Sequence, residues 1–348
     1  MPVRHAARVQ GELIMDVCTD AVIPANPRTV VWGEIPADRA PVHRVRSGDA
    51  VRIDTVSHGG LTRGDPVAHF AAAGIPAEEL LPEAIAIHRE VKRAPGMGVH
   101  ILTGPVYVEG AHPGDMLEVR VLDVAIRVPY GVNTTGPGYG VLPELLSEPV
   151  VQTIRLDLER RVASFSPRID APLAPFMGIM AVAPCAAIAP VSTKPAGEWG
   201  GNLDFRHLVA GSALYLPVFN EGALFYTGDG HALQGDGEVD GTALEISLAP
   251  TLQFVVHEKA GASLRWPRAE DAEHHYIMGM DPSLDMALKH AVAETVAFLR
   301  REASLSTPDA YALASLAVDF RIGEAVNGVK MVYGVVPKRV CPVKNVSS

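Results

Sequence analysis

Glycine and proline interrupt this sequence so often that long regular elements have little room to form. The 348 residues include 32 glycines and 28 prolines, and proline neither continues a helix nor donates to the centre of a sheet. A hydrophobic fraction of 48% and a charged fraction of 20% are nevertheless typical of a chain that buries a core. The sequence therefore predicts a globular protein of many short strands and turns.

The charge of the chain limits its partners. Forty acidic and 30 basic residues give a formal net charge of −10, without any block of five or six Lys and Arg. This balance argues against nucleic acid and against an anionic membrane surface as partners. The cysteines Cys18, Cys185 and Cys341 are far apart, which favours neither a disulfide framework nor a Cys-rich zinc site. Cys185 has apolar neighbours, so we expect a buried, inert thiol.

One uncharged stretch, residues 171–191, is long enough to cross a bilayer. It contains four prolines that would break a helix, so we expect buried strands and turns instead. The first 17 residues carry scattered charges and lack the apolar core of a signal peptide. These features predict a cytoplasmic protein that has no membrane partner.

Short apolar runs predict strands along most of the chain. We expect them at 29–32, 41–45, 49–53, 101–108, 116–122, 150–156, 161–165, 212–219, 222–228, 242–248 and 251–257. Helical spacing of apolar residues predicts helices within 77–93, 282–301 and 308–317. The predicted fold class is mainly β with α/β elements and C-terminal helices, because regular strand–helix alternation is missing.

A Gly-rich segment at 130–140 ends the first half of the chain and could be a connector or a mobile loop over a site. We predict an N-terminal β-rich domain over residues 1–145 and a C-terminal α/β domain over 146–338. Residues 339–348 are expected to form a loose tail.

An acidic, Gly-rich stretch, GDGHALQGDGE at 228–238, is where we expect the chemistry. It places Asp229 and His231 on one face of an extended segment, and Glu245 follows on the next predicted strand. Carboxylates and imidazoles are the ligands that divalent cations take, so this pattern favours a metal site. The alternative is a solvated hairpin, since Asp-Gly is a common turn dipeptide.

Other signatures narrow the possibilities. The sequence contains no Gly-x-Ser-x-Gly, no P-loop, no His-Glu-x-x-His and no EF-hand spacing. His58, four residues after Asp54, and His100, just before a predicted strand, are candidate site residues, although a loop histidine bonded to backbone is the alternative. His274 and His275 have acidic neighbours, so we expect them in a solvated turn.

Six segments together resemble the acetamidase/formamidase family, in the same order over about residues 28–338. They are HILTGPVYV at 100–108, GAHPGD at 110–115, GGNLD at 200–204, GSALYLPV at 211–218, GDGHALQGDGE at 228–238 and AYALASLAVD at 310–319. The resemblance implies a β-sandwich-like fold and hydrolysis of short aliphatic amides, such as formamide or acetamide, to ammonia and a carboxylate. It also implies a bound divalent metal, with zinc favoured and calcium as the alternative.

The resemblance also assigns site residues, with the motif residues matching most clearly. The expected metal ligands are Asp54, His58, Asp204, His231 and Glu245. The expected catalytic residues are Asp204, His231 and Glu238, and the residues expected to contact substrate or support the ligands are Asn202, Gln234 and His100. Metal-activated water would then attack the amide, and Glu238 would carry the proton to the leaving nitrogen.

Three alternatives remain open from the sequence. The same scaffold could hydrolyse a larger or cyclic amide, or a β-sandwich could bind a cation or small ligand without catalysis. Covalent catalysis by Cys185 has little support, because no Glu–Lys–Cys arrangement is visible. We expect a small amide as substrate and a homodimer or higher homo-oligomer as the assembly.

Overall fold

The computed structural model describes residues 8–9, 12–13, 21–62 and 64–341. Within these ranges the chain forms 24 strands and four α-helices. The strands are β1 Arg8–Val9, β2 Glu12–Leu13, β3 Val22–Ile23, β4 Val30–Trp32, β5 Glu34–Ile35, β6 His43–Arg46, β7 Ala50–Ile53, β8 Ile101–Glu109, β9 Met116–Ile126, β10 Tyr130–Thr135, β11 Val150–Asp157, β12 Val162–Ser166, β13 Ile169–Pro172, β14 Phe176–Val182, β15 Val191–Ser192, β16 Ala196–Gly197, β17 Gly200–Asn202, β18 Ala213–Pro217, β19 Phe225–His231, β20 Leu248–His257, β21 Arg268–Glu270, β22 His274–Asp281, β23 Asp319–Glu324 and β24 Lys330–Pro337. The helices are α1 Pro66–Ala72, α2 Pro82–Glu90, α3 Leu284–Glu302 and α4 Thr307–Ala317.

Two large sheets dominate the described part of the chain. One has the strand order β23-β24-β22-β21-β18-β9-β20-β7-β3, and the other has the order β16-β17-β14-β19-β8-β4, with β6 also paired to β8. Their pairs are antiparallel except for β3 with β7 and β6 with β8. A smaller sheet has the order β10-β11-β12-β13, and β1 with β2 and β5 with β15 form two-stranded ladders.

The two large sheets share one apolar core. Phe225 of β19 and Phe254 of β20 lie in different sheets, and their ring centroids are 5.0 Å apart. Leu117, Leu214 and Val106 belong to the same cluster and are fully buried. Burial of each such side chain contributes about 1.5–3 kcal/mol. This face-to-face packing confirms the predicted β-sandwich-like class.

The C-terminal helices cover one face of the nine-stranded sheet. Helix α3 packs against β22 and β24, and α4 packs against α3. The buried face of α3 repeats at helical spacing, as the sequence predicts, through Ala287, Ala291, Thr295, Phe298 and Leu299. Helix α4 begins after Ser306, whose hydroxyl accepts a hydrogen bond from the Asp309 amide. Both predicted C-terminal helices are therefore confirmed.

Several local predictions need correction. The short helix expected within 77–93 is present as α2, and Pro82 begins it at a position that proline favours. In the strand expected at 242–248, only Leu248 belongs to a ladder, as the first residue of β20, since Glu245 makes only isolated bridges to Val132 and His231. Cys185 is exposed and Cys341 is buried, so the expected burial of Cys185 is wrong. Cys18 lies outside the described residues.

The division at residue 145 does not separate the sheets. Strand β10 before it pairs with β11 after it, and β8 and β9 pair with β19 and β20. The expected connector at 130–140 is partly strand β10 itself. Strand β14 within the uncharged stretch 171–191 is completely buried, and among the described residues no helix is long and apolar enough to cross a bilayer.

His274 and His275 lie in β22 rather than in the expected solvated turn. His275 is buried, and its Nδ1 lies 2.8 Å from the Glu270 Oε2 of the neighbouring strand β21. Lys338 Nζ is 3.4 Å from the other carboxylate oxygen of Glu270. Burial alone would raise the pKa of Glu270, but the contact with His275 and the charge of Lys338 outweigh it and lower this pKa to about 2.

We expect Glu270→Gln to destabilise the protein by about 3 kcal/mol at pH 7, because the ionised carboxylate is favoured in the folded state. A lowered folded-state pKa gives stability that is present above the ordinary value of 4.5 and is lost as the pH falls towards 2. The difference between variant and wild type should therefore shrink over that range. Denaturant unfolding at several pH values measures it. The exposed Glu258→Gln serves as the control, and an equal effect of both variants would contradict the assignment.

Candidate metal centre

Strand pairing brings titratable side chains from distant parts of the chain to one place. Strand β19 carries Asp229 and His231, and its Gly228 pairs with Leu102 of β8. His100, which immediately precedes β8, therefore lies beside Asp229. The bridge between His231 and Glu245 adds a second carboxylate. His58 comes from the loop after β7. All these side chains are buried.

Asp229 lies at the centre of this group. Its Oδ1 is 3.6 Å from His58 Nδ1, and its Oδ2 is 3.4 Å from His231 Nε2 and 3.8 Å from His100 Nε2. Glu245 Oε1 is 3.3 Å from His231 Nε2, and Glu245 Oε2 is 3.8 Å from His58 Nδ1. Ligand atoms arranged tetrahedrally at about 2.0–2.2 Å from a zinc ion are about 3.4 Å apart. The spacing of these atoms therefore suits a shared cation.

Hydrogen bonds orient two of the imidazoles. His231 Nδ1 donates to Gln234 Oε1 over 2.9 Å, and Gln234 Nε2 donates to the Asp204 carbonyl oxygen over 2.8 Å, which fixes the glutamine amide. His100 Nδ1 donates to the Thr193 carbonyl oxygen over 3.1 Å. In both rings Nε2 is left to face the carboxylates. Metal-binding histidines are held in this way by a partner on the opposite nitrogen.

A second group of carboxyls adjoins the first. Asp204 Oδ1 is 3.9 Å from His231 Nε2. Asn327 Nδ2 donates to Asp204 Oδ2 over 2.8 Å and to Glu238 Oε2 over 3.3 Å. Glu324 accepts the backbone N–H of Asn327 and of Val326. Asn327 thus joins two carboxyls that belong to different loops.

Burial and neighbouring charges separate the pKa values in the cluster. Burial raises the pKa of Asp204 and Glu238 well above the ordinary range, and nearby carboxylates add to this effect. Burial would also raise the pKa of Asp229, but the charges of His100 and His231 lower it well below the ordinary range. Burial lowers the pKa of His100 to about 4. Groups whose pKa values are pushed apart are suited to different roles in proton transfer.

The pKa of His231 moves in the opposite direction from that of His100. Burial would lower it, but the charges of Glu245 and Asp229 outweigh burial and raise it well above the ordinary value. The ring therefore lies in a field that strongly favours positive charge. The same two carboxylates would stabilise a metal cation bound beside this ring.

Unpaired buried atoms test whether the cluster fits a metal. The polar atoms of the cluster that are buried without a hydrogen-bond partner among the described residues include His58 Nδ1, Asp204 Oδ1, Asp229 Oδ1, His231 Nε2 and Glu245 Oε2. An unsatisfied buried group costs about 1–3 kcal/mol. Imidazole nitrogens and carboxylate oxygens are zinc ligands, so a divalent cation would satisfy these atoms together.

The backbone is shaped to bring the carboxylates close together. Asp204, Asp229 and Glu238 all have positive φ, at 44°, 58° and 45°, a conformation that costs energy in residues with a side chain and clusters at functional sites. Gly178 of β14 lies beneath them. A Cβ at this position would lie 2.7 Å from Asp204 Oδ1 and 2.8 Å from Asp229 Oδ2. The space around the carboxylates therefore requires glycine there.

The structure brings together eight of the nine predicted site residues, but not Asp54. Asp54 Oδ1 accepts a hydrogen bond from Arg52 Nε over 3.0 Å, and its Oδ2 faces Arg127 at 3.6 Å. These arginines hold its carboxylate away from the cluster, so we remove Asp54 from the candidate ligands. The residues that it does bring together are His58, His100, Asn202, Asp204, His231, Gln234, Glu238 and Glu245, with Asp229 between them.

Three residues of the cluster, Asp229, Glu324 and Asn327, were not predicted from the sequence as site residues. Asp229 was placed beside His231 by the motif spacing, and that spacing could have identified it as a ligand. Glu324 reaches the cluster through its parallel bridge with Gly237, and Asn327 follows in the next turn. Nothing in the local sequence of these two residues indicates that they contact Asp204 and Glu238.

The sequence of this chain matches one known family over most of its length. The model of the Acetamidase/Formamidase family matches residues 86–191 and 186–341. This chain belongs to that family. The two matched segments include Asp229, His231 and Glu245, so the candidate metal centre lies largely within the part that the family shares.

Individual members of the acetamidase/formamidase family are similar over different lengths. An acetamidase of Mycolicibacterium smegmatis is 30% identical over an alignment of 215 positions that covers 44% of this chain and 51% of that protein. A formamidase of Methylophilus methylotrophus is 29% identical over an alignment of 195 positions that covers 40% of this chain and 47% of that protein. The match thus spans about half the length of these curated relatives. The crystal structure of an acetamidase from Bacillus halodurans has a TM-score of 0.76 and 29% identity, covering 91% of this chain and 98% of that one.

Proposed function

We propose that this chain hydrolyses carboxylic amides to ammonia and a carboxylate, with a divalent cation held in the candidate metal centre. The observation that carries the proposal is the convergence of unpaired imidazole and carboxylate atoms at the base of a cavity. Family membership and relatives named acetamidase and formamidase support amide hydrolysis. The geometry of the cluster and the family membership are independent arguments.

The proposed ligands are His58, His100, Asp229, His231 and Glu245. Zinc suits this mixed set of nitrogen and oxygen donors, whereas calcium, which takes six to eight oxygen ligands, would suit the carboxyl-rich side formed by Asp204 and Glu238. In such a site a divalent cation polarises a carbonyl group and lowers the pKa of water.

The side chains supply substrate orientation and proton transfer. Asn202 Oδ1 is buried, has no hydrogen-bond partner among the described residues and belongs to a cavity-lining side chain, so it can accept an N–H of the substrate amide. Glu238, with its raised pKa, can take a proton from the attacking water and deliver it to the leaving nitrogen. Water then adds to the carbonyl carbon, the C–N bond breaks, and nitrogen leaves as ammonia.

Ammonia release from formamide and acetamide tests this proposal. We expect release that falls to background after exhaustive chelation and returns when Zn²⁺ is added, because the unpaired ligand atoms need a cation to act on substrate. Full activity of the metal-free protein would contradict metal dependence. Metal-dependent thermal stability without ammonia release from any amide would favour the non-enzymatic alternative, a β-sandwich that binds a cation.

A further inference from the structure

The cavity above the candidate metal centre is much larger than a short amide requires. Its volume is about 730 Å³, which lies in the range of about 300–1,000 Å³ that holds drug-sized ligands. Formamide and acetamide have only a few non-hydrogen atoms. The cavity therefore has room for a substituent that extends from the amide towards the mouth.

The cavity is acidic at its buried base and basic at its exposed wall. The acidic side chains belong to the buried cluster at the base. Among the described residues, the other charged side chains that line the cavity are Arg93 and Lys194, and both are exposed. A substituent that leaves the base thus meets two cations and no further carboxylate of the described chain.

The structure holds Arg93 in a fixed orientation. Its Nε donates to the Gly98 carbonyl oxygen over 2.7 Å, and its Nη2 donates to the Met97 carbonyl oxygen over 3.0 Å. Nη1 has no hydrogen-bond partner among the described residues. A guanidinium that is already oriented loses little further freedom when it binds an anion.

Lys194 lines the same cavity. The loop of residues 93–98 touches residues 193–194, because a Cβ on Gly98 would overlap Thr193 Oγ1 and lie 2.9 Å from the Lys194 amide nitrogen. Thr193 in turn accepts the hydrogen bond of His100 Nδ1. The backbone that carries Lys194 is therefore placed next to a candidate metal ligand. The Lys194 side chain is exposed and makes no ion pair with a carboxylate of the described residues.

We infer that the preferred substrate is the monoamide of a dicarboxylic acid, whose amide lies at the metal centre and whose carboxylate is bound by Arg93 and Lys194. This inference rests on the proposed amide hydrolysis and names its substrate class. Guanidinium and ammonium groups both bind carboxylates through charge-assisted hydrogen bonds. The buried carboxylates at the base would repel the substrate's own carboxylate, which gives the substrate one orientation.

The ratio of kcat/KM for succinamate to that for butyramide tests the inference, since the two amides have similar lengths and differ in the terminal carboxylate. We expect the wild-type ratio to exceed about 10, and Lys194→Gln to lower the ratio about fivefold, the effect of one partly exposed ion pair. Lys92→Gln removes an exposed charge that does not line the cavity, and it should leave the ratio unchanged. A wild-type ratio near 1 would overturn the inference. So would a Lys194→Gln variant in which kcat/KM falls by the same factor for succinamate and for butyramide.

Calorimetry separates failure of this inference from failure of the proposed function. If neither amide is hydrolysed, the proposed function fails, and binding of succinate and butyrate to the zinc-loaded protein still tests the two cations. Tighter binding of succinate that Lys194→Gln weakens about fivefold supports the carboxylate site. Equal affinities for succinate and butyrate contradict it.

Discussion

Asp229→Asn is expected to lower amide hydrolysis and zinc affinity more than about 100-fold. Loss of a residue that only supports a metal ligand costs about 10–100-fold, and Asp229 contacts three imidazoles directly, with distances of 3.4–3.8 Å. Asparagine keeps the shape of the side chain but removes the charge that the histidines and a cation require. Steady-state ammonia release and zinc affinity from competition with a chelator measure the two effects.

The control for this variant is Asp123→Asn, which removes an exposed carboxylate of β9 that belongs to the other large sheet and does not line the cavity. It should leave activity and zinc affinity within about twofold of wild type, as surface substitutions usually do. The circular dichroism of Asp229→Asn should match that of wild type. A folded Asp229→Asn protein with normal activity would show that Asp229 is not a ligand.

Gly178→Ala is expected to reduce activity by a similar factor through steric conflict alone. The added methyl group would lie 2.7 Å from Asp204 Oδ1 and His231 Cε1 and 2.8 Å from Asp229 Oδ2. Contacts below about 3.0 Å force these side chains to move, and a shift of about 1 Å at a catalytic group can cost about 100-fold. The glycine lies in an ordinary extended conformation, so alanine adds no backbone strain there.

Gly235→Ala is the matched control, because it adds the same methyl group within the GDGHALQGDGE motif. A Cβ at Gly235 meets nothing within 4 Å, so this variant should retain activity within about twofold to threefold. Activity and zinc content of both purified variants provide the comparison. Equal losses in the two variants would indicate a general effect on the motif and not a conflict at the metal centre.

The elements with strong local patterns were predicted well. Helix α3 has a clear helical periodicity, and short apolar runs mark strands β8 and β9. The motif at 228–238 was placed in the site because glycine, carboxylate and imidazole occur together. Its strand nevertheless extends through His231, beyond the predicted end at 228, and this extension is what carries Asp229 and His231 into the core.

Contacts between distant parts of the chain were not predictable from the sequence. Asp54 is four residues from His58, but the direction of its carboxylate is set by Arg52 and Arg127, and Arg127 lies on a different segment. Glu324 joins the cluster through a bridge to Gly237. Local spacing contains no information on such partners, so only the fold identifies them.

Titration of the metal-free protein with Zn²⁺, with ammonia release measured at each step, tests the central claim most directly. If the convergent imidazoles and carboxylates form the active metal centre, activity should rise from background with added zinc, and Asp229→Asn should not respond. Activity that is already complete before zinc is added, or that responds equally in Asp229→Asn, would contradict the claim.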